Sequence, residues 1–548
     1  MKILNLFQKK WMLYAIISVA FLYRSWSIIF EQKFWSDQQI QMIGALSLLN
    51  GHGVSIPLTE KHDISMTHYT PIAQFPEGYS YVFAAVYFLC RSLFWSVVFI
   101  DLLAMVLYFV SWSLLFKEFG KMIPTKSQFL VFLFTGFSAS PFLFYTSIDL
   151  LALSCFFLGT VMIMISLNKK NSVFTFCAVL VLFLAAFFRF MYYPVVIIVP
   201  LSIFGLAFIL KNRWHRNQAI LMFFYLTLFF ILAQYIKTKA QVIPDYVRIP
   251  FNKESLYPEN LLKFNYPFFI QPFIDERSIV TITKYLHIGT YANLAKISIS
   301  LFFGGLLVIA LTQFIKGLIL GGYKRETVTN IFILSLFFSS LSCLLILFGL
   351  SLISIPQNND VLINWTFVQE QRYYGIVFIS IMLLALLVIN NYIGLFNNRL
   401  IKITKYNIAF FAIISLMYSF PCLYITIRSQ ESYFLLGDKK LKYKFTNDLN
   451  LADSIDSTIK NDKAGNRKTV FISRDRISYY AGLRGASHAT PEILKELYTS
   501  KEISLLIFVD EKNIDPDISY FISNRSLSPI YVKYPYKLYR YIVKPNIL

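Results

Sequence analysis

The apolar residues of this chain fall in runs of about 18 or more, long enough for a helix to cross a bilayer core of about 30 Å. No pattern in the sequence constrains the fold more, because a segment in lipid must satisfy its own backbone hydrogen bonds and so is helical. Candidate spans lie near 11–30, 94–116, 127–146, 149–167, 173–188, 191–210, 218–236, 296–316, 328–353, 372–390 and 408–427. Composition agrees. Charged residues make up 15% of the 548 and the mean hydropathy is +0.56, whereas a soluble domain carries about a quarter charged. The expected class is an α-helical polytopic membrane protein with about eleven transmembrane helices.

The net charge of +21 does not point to nucleic acid. The basic residues collect in short loops, at 117–126, 168–171, 211–216, 323–326 and 397–406, as cytoplasmic loops of membrane proteins do. This places the N-terminus in the cytoplasm. The segments 31–78, 237–295, 354–371 and the C-terminal tail lie on the opposite side. The apolar stretch 79–93 would invert this order as a full span, so it reads as a short helix dipping into the outer leaflet. The basic N-terminus leads into a long apolar run with no small-residue cleavage site, which reads as a retained anchor. All five cysteines sit in apolar runs without metal-ligand spacing. After Arg428 the composition changes. A helical pattern at 446–460, buried-strand patterns at 468–473 and 504–510, a helix-like TPEILKELYTS and a terminal hairpin at 531–543 predict a small α/β domain. The expected division is a multi-span domain over 1–430 and an extracytoplasmic α/β domain over 431–548.

Several polar groups stand at outer ends of spans. Asp37, in SDQQIQMIGALSLLNGHG at 36–53, either caps an interfacial helix over 37–49 or serves as a reactive carboxylate at the membrane surface. Asp149 opens the span 149–167, where a helix dipole favours an acid. Glu77, in the FPEGY turn, is a third outward acid whose bland reading is a solvated turn residue. Arg189 and Arg372 each either snorkel to headgroups or clamp a phosphate through their forked N–H groups. His62, Asp63 and His68 could hold a metal, although their spacing fits no standard zinc motif. No Walker loop, dinucleotide glycine motif or nucleophile elbow is present.

Taken in order, five segments resemble the bacterial family 39-like glycosyltransferases of the GT-C superfold, relatives of protein O-mannosyltransferases and lipid A aminoarabinose transferases. SDQQIQMIGALSLLNGHG resembles the acidic motif of the family's first loop. AQFPEGYSYVFAAVYF is similar to its Pro-Pro-Gly-Tyr segment, with Glu77 in place of the second proline. SIDLLALSCFFLG, RFMYYPVVIIVP and QRYYGIVFISIML resemble three of its span starts, with Asp149 where Glu is more usual. The segments ADSIDSTIK, KTVFISRDRISYYAGLRG and LLIFVDE resemble the small periplasmic domain of many members. The family often pairs two acids in the first motif; here Asp37 is flanked by Ser36 and Gln38.

The resemblance implies a multi-pass protein of the bacterial inner membrane that transfers a sugar from a polyprenyl-phosphate donor to a glycan, lipid or protein hydroxyl. It implies Asp37 as the catalytic carboxylate. Arg189, Arg372, Asp149, Glu77, Tyr79 and Tyr373 would bind substrate and its phosphate. It fixes no cofactor and leaves a divalent metal open. Besides a non-catalytic scaffold, which has no need of Asp37, two rival readings stand beside it. One is a polymerase or ligase of lipid-linked glycans. The other is a polyprenyl-lipid transporter or flippase, which predicts ionisable groups near mid-bilayer and related halves.

Overall fold

The computed structural model describes residues 10–30, 36–60, 62–72, 75–119, 123–137, 147–238, 305, 308–309, 311–316, 327–352, 374–394, 396–410, 412–413, 448–473 and 477–545. The chain divides into two compact units. One comprises Met1–Gln32, Asp101–Gln234 and Arg248–Glu431, and the other Lys33–Ile100, Tyr235–Val247 and Ser432–Leu548.

The first unit is helical. Its described helices include α1 (Lys10–Phe30), the larger part of α4 (Leu93–Glu118), α5 (Thr125–Phe137), α6 (Ser147–Lys169), α7 (Ser172–Phe188), α8 (Tyr192–Ile209), the larger part of α9 (Arg213–Thr238), α10 (Thr327–Leu352) and α11 (Gly375–Ile389). Among the described residues six helices are long and apolar enough to cross a membrane: Lys10–Ile29, Leu93–Glu118, Ile148–Lys169, Tyr192–Ile209, Arg213–Ile236 and Val328–Leu347. The chain is thus a multi-pass membrane protein. The expected spans at 296–316 and 408–427 fall largely outside the described residues.

Small residues set the packing, as they must where lipid gives helices no hydrophobic drive to associate. A Cβ on Gly159 would lie 2.6 Å from the Leu182 backbone nitrogen, so α6 and α7 meet backbone to backbone. Gly136 of α5 likewise faces Ala20 of α1. Buried hydroxyls add ties: Ser154 donates to the Ala104 carbonyl at 2.7 Å, linking α6 to α4, and Ser340 of α10 bonds Ser380 of α11.

The second unit contains α2 (Ser36–Leu49), β1 (Ser55–Thr59), β2 (Thr67–Pro71) and α3 (Gly78–Cys90). From the tail come α12 (Leu449–Ala464), β3 (Lys468–Ile472), α13 (Ile477–Leu483), β4 (Ser487–Ala489), β5 (Ile503–Asp510), α14 (Pro516–Asn524), β6 (Pro529–Lys533) and β7 (Tyr536–Val543). The helix-like TPEILKELYTS forms only a 3-10 turn at Pro491–Leu494. The strands make one sheet in the order β2-β1-β4-β3-β5-β7-β6. β1, β4, β3 and β5 run parallel to their neighbours in that series, and the outer pairs are antiparallel.

Period-two alternation gives this sheet a core on each face. Val470, Ile472, Leu505 and Ile507 pack with Ile64, Ile518 and Phe521 on one side. Phe471, Leu506 and Phe508 pack with Leu451, Ile455, Ile459 and Tyr480 on the other. The tail therefore folds as the α/β domain its sequence predicts, with two additional strands taken from the loop after the first span.

Candidate active site

The second unit holds Asp37, Glu77 and Tyr79, and the first holds Asp149 and Arg189. Arg372 and Tyr373 lie outside the described residues; Tyr374, the next residue, precedes α11 and is fully buried.

In the second unit two of the five segments that carry the resemblance meet. Helix α2 begins at Ser36, so Asp37 falls in its first turn, half-buried and where the helix dipole favours a carboxylate. The next residue, Gln38, is buried and donates from Nε2 to the Tyr79 hydroxyl at 3.1 Å. Ser80 donates from Oγ to the Gln41 carbonyl at 2.9 Å. These two bonds fix α2 to α3 at the end that bears Asp37. A turn further along, Gly44 permits close approach, since a Cβ there would strike Ile72 and Val54. The glycines after α2, Gly51 and Gly53, take φ of +85° and +69° and turn the chain into β1. On its other side α2 touches the tail, where a Cβ on Gly482 of α13 would meet Ile43 at 3.1 Å.

Glu77 is not a solvated turn residue. Only 6% of it is exposed, and its Oε2 accepts from the Tyr81 hydroxyl at 3.2 Å. Tyr79 has no exposed surface. Its hydroxyl accepts the Gln38 bond that steadies the helix carrying Asp37.

The first unit brings together the other two candidates. Arg189 ends α7 in extended backbone, with its N–H on the Ala185 carbonyl. A tight turn to α8 follows, closed by Tyr192 N–H on the Arg189 carbonyl at 3.0 Å. From this corner the guanidinium reaches Asp149 in the first turn of α6. Nε donates to Oδ1 at 2.6 Å and Nη2 to Oδ2 at 3.4 Å, and each side chain is 7% exposed. Such a forked pair orients both groups.

Among the described residues no group of three or more His, Cys, Asp or Glu side chains is placed to hold a metal ion. His62, Asp63 and His68 do not form a ligand set. Asp63 Oδ1 instead accepts from the Ser65 amide at 2.9 Å, the Ser65 hydroxyl at 2.7 Å and the Ser500 amide at 3.2 Å. Burial pushes its pKa up, but the hydrogen bonds from Ser500 and Ser65 prevail and hold the carboxyl at about 2. His68 lies exposed on β2, opposite Leu58. The third histidine of this loop, His52, stacks on Tyr69 with ring centres 3.7 Å apart. Lys468 of β3 donates to the Ile64 and Met66 carbonyls at 3.0 and 2.6 Å and so ties the loop to the sheet. Burial, only partly offset by Asp63 and Glu60, lowers its amine to about 8.

Two ionisable groups escaped the sequence reading. Arg24 and Asp101 are buried inside the apolar helices α1 and α4, and Arg24 Nε donates to the Thr135 carbonyl at 3.0 Å. The signal was visible, since a charge within an apolar run is costly and seldom idle.

No family model matches the sequence, and no curated protein matches it. Solved structures do. One is ArnT from Cupriavidus metallidurans in the apo state, 10% identical with a TM-score of 0.47, over 97% of this chain and 98% of that one. Another is the Archaeoglobus fulgidus oligosaccharyltransferase in the apo form, 10% identical with a TM-score of 0.44, over 92% of this chain and 70% of that one. Both are GT-C proteins.

Proposed function

We propose that this chain is a membrane glycosyltransferase. It moves a sugar from a polyprenyl-phosphate donor to an acceptor hydroxyl on the outer face of a bacterial inner membrane. The N-terminus is cytoplasmic, and the α/β domain over 431–548 is extracytoplasmic and follows a multi-span domain over 1–430. The charge asymmetry of the loops supports this orientation.

One observation carries the reading. A half-buried carboxylate stands in the first turn of a helix that is pinned to α3 by Gln38–Tyr79 and Ser80–Gln41. Simple capping does not need a clamp of that kind; a general base does, because proton transfer depends on position.

In the reaction the acceptor oxygen attacks the anomeric carbon while Asp37 takes its proton. The bond from that carbon to the phosphate oxygen breaks, and the polyprenyl phosphate leaves with the electron pair. Arg372 and Arg189 stabilise the charge that grows on the phosphate, with Arg189 aimed by Asp149. Tyr373 and Glu77 complete the substrate contacts. The donor sugar, and whether the acceptor is a glycan, lipid or protein, are set by groups beyond these.

The test is reconstitution. Purified protein in liposomes is given radiolabelled polyprenyl-phosphate hexoses, hexosamines and pentoses with cell-envelope extract. Label should leave the donor lipid for an acceptor, and Asp37→Asn should slow this by about a hundredfold. Absence of transfer from every donor, with the protein folded, would sink the proposal.

A further inference from the structure

Away from Asp37, the second unit carries a groove of about 840 Å³ between the 494–498 segment and α14. That volume is in the range of small-molecule sites. Asp517, Tyr520, Phe521 and Asn524 line it at the i, i+3, i+4, i+7 spacing of one helix face. Phe521 is buried and forms the floor, while Tyr520 stands 73% exposed. Lys495 Nζ meets Asp517 Oδ2 at 3.1 Å at the groove. Arg525 closes it, held by a 2.6 Å bond to the Tyr541 hydroxyl and stacked over the Phe521 and Tyr541 rings.

We infer that this groove binds a glycan. An open aromatic ring offers a flat apolar face, which suits the C–H face of a sugar ring. The planar amide of Asn524 and the carboxylate of Asp517 suit hydroxyls that both give and accept hydrogen bonds. The two acids of the lining, Asp517 and Glu496, are matched by two cations, Lys495 and Arg525, so no surplus of positive charge is offered to an anionic polymer. A peptide that binds by adding a strand would need an unpaired strand edge, and the groove is bounded by a helix and a turn rather than an edge. His62, from the loop after the first span, also lines it. The groove therefore joins the segment that follows Asp37 to the tail. Resting on the transferase reading, its ligand is the sugar acceptor, which makes this chain's acceptor a glycan rather than a bare lipid or protein.

The test uses the full-length protein in detergent on an array of defined bacterial oligosaccharides, with a matched array of unmodified peptides. The wild type should retain at least one glycan. Tyr520→Ala and Asn524→Ala should each weaken retention at least about tenfold, as loss of a central contact does. Tyr534→Ala, an equally exposed tyrosine outside the groove, should not. Asp37→Asn should bind as the wild type does; a wild type that retains glycan but transfers no label would count against the transferase reading and leave the groove standing. No glycan bound, glycan binding indifferent to Tyr520→Ala, or Tyr520-dependent capture of peptides instead would overturn the inference.

Discussion

Arg189 and Asp149, forty residues apart, close a buried ion pair with Nε and Oδ1 2.6 Å apart. The pair joins the corner between α7 and α8 to the first turn of α6. Removing one member of a buried pair strands the other charge, at about 3–5 kcal/mol, whereas replacing both with apolar groups of like volume is often near neutral. Arg189→Met and Asp149→Leu should each lower the melting midpoint in detergent clearly, and the double variant should recover much of the loss. Additive losses would mean that the two charges are not coupled. Activity separates the pair's two roles: if Arg189 stabilises the leaving phosphate, the double variant stays inactive although its stability returns.

Asp37→Asn keeps the size of the side chain and its capacity to accept a bond at a helix start. We predict a folded protein of near-wild-type stability with turnover lowered about a hundredfold or more. Full activity together with a lowered melting midpoint would reduce Asp37 to a capping residue.

Tyr79→Phe should act on the same carboxylate indirectly. The change removes the acceptor of the Gln38 amide inside a buried contact and should cost about 1–3 kcal/mol. The decisive readout is kinetic. A positioning role predicts lower turnover with donor affinity little changed, while a purely structural role moves only stability.

Orientation is tested by labelling from outside intact cells with a membrane-impermeant maleimide. Tyr534 is 74% exposed in the tail, and Arg213 is exposed at the start of α9. A cysteine at 534 should react and one at 213 should be protected. The reverse pattern would invert the topology and remove the outer-face chemistry with it.

Asp63 gives a pH prediction. Its pKa in the fold is about 2, below the ordinary 3.8, so its hydrogen bonds contribute stability above pH 3.8. That contribution falls away as the pH drops through about 2. The difference in melting midpoint between wild type and Asp63→Asn should be full at neutral pH and shrink below pH 3.8. A difference that persists unchanged at pH 2 would assign the effect to something other than the charge.

The spans and the tail were legible because their signals are local. Apolar runs, the helical pattern before Lys468 and the buried strands at 468–472 and 503–510 each declare themselves within a few residues. β1 and β2 were not legible. SIPLT and THYTP are five residues long, each contains a proline, and neither alternates clearly. They become strands only because β4 and Lys468 offer them partners. β2 is an edge strand, where its proline is tolerated, and β1 meets β4 at Leu58, beyond its own proline. The site was half legible. The residue types and their order marked Asp37, Asp149 and Arg189. That Arg189 would be spoken for by Asp149, and that Gln38 would anchor to Tyr79, depend on tertiary geometry that no spacing encodes.

The participation of β1 in the tail's sheet also sets an order of events. Thr59 donates from Oγ1 to the His488 carbonyl across 429 residues of sequence, and β1 pairs in parallel with β4. At synthesis rates of about 5–20 residues per second, the early hairpin waits roughly 20–90 s for its partner strand to be made. During that time its edge stays open, a state prone to mispairing. Closure of the sheet is thus gated by the synthesis of β4. A ribosome stalled before α13 would leave the helix bearing Asp37 without its contact at Gly482, and β1 without β4.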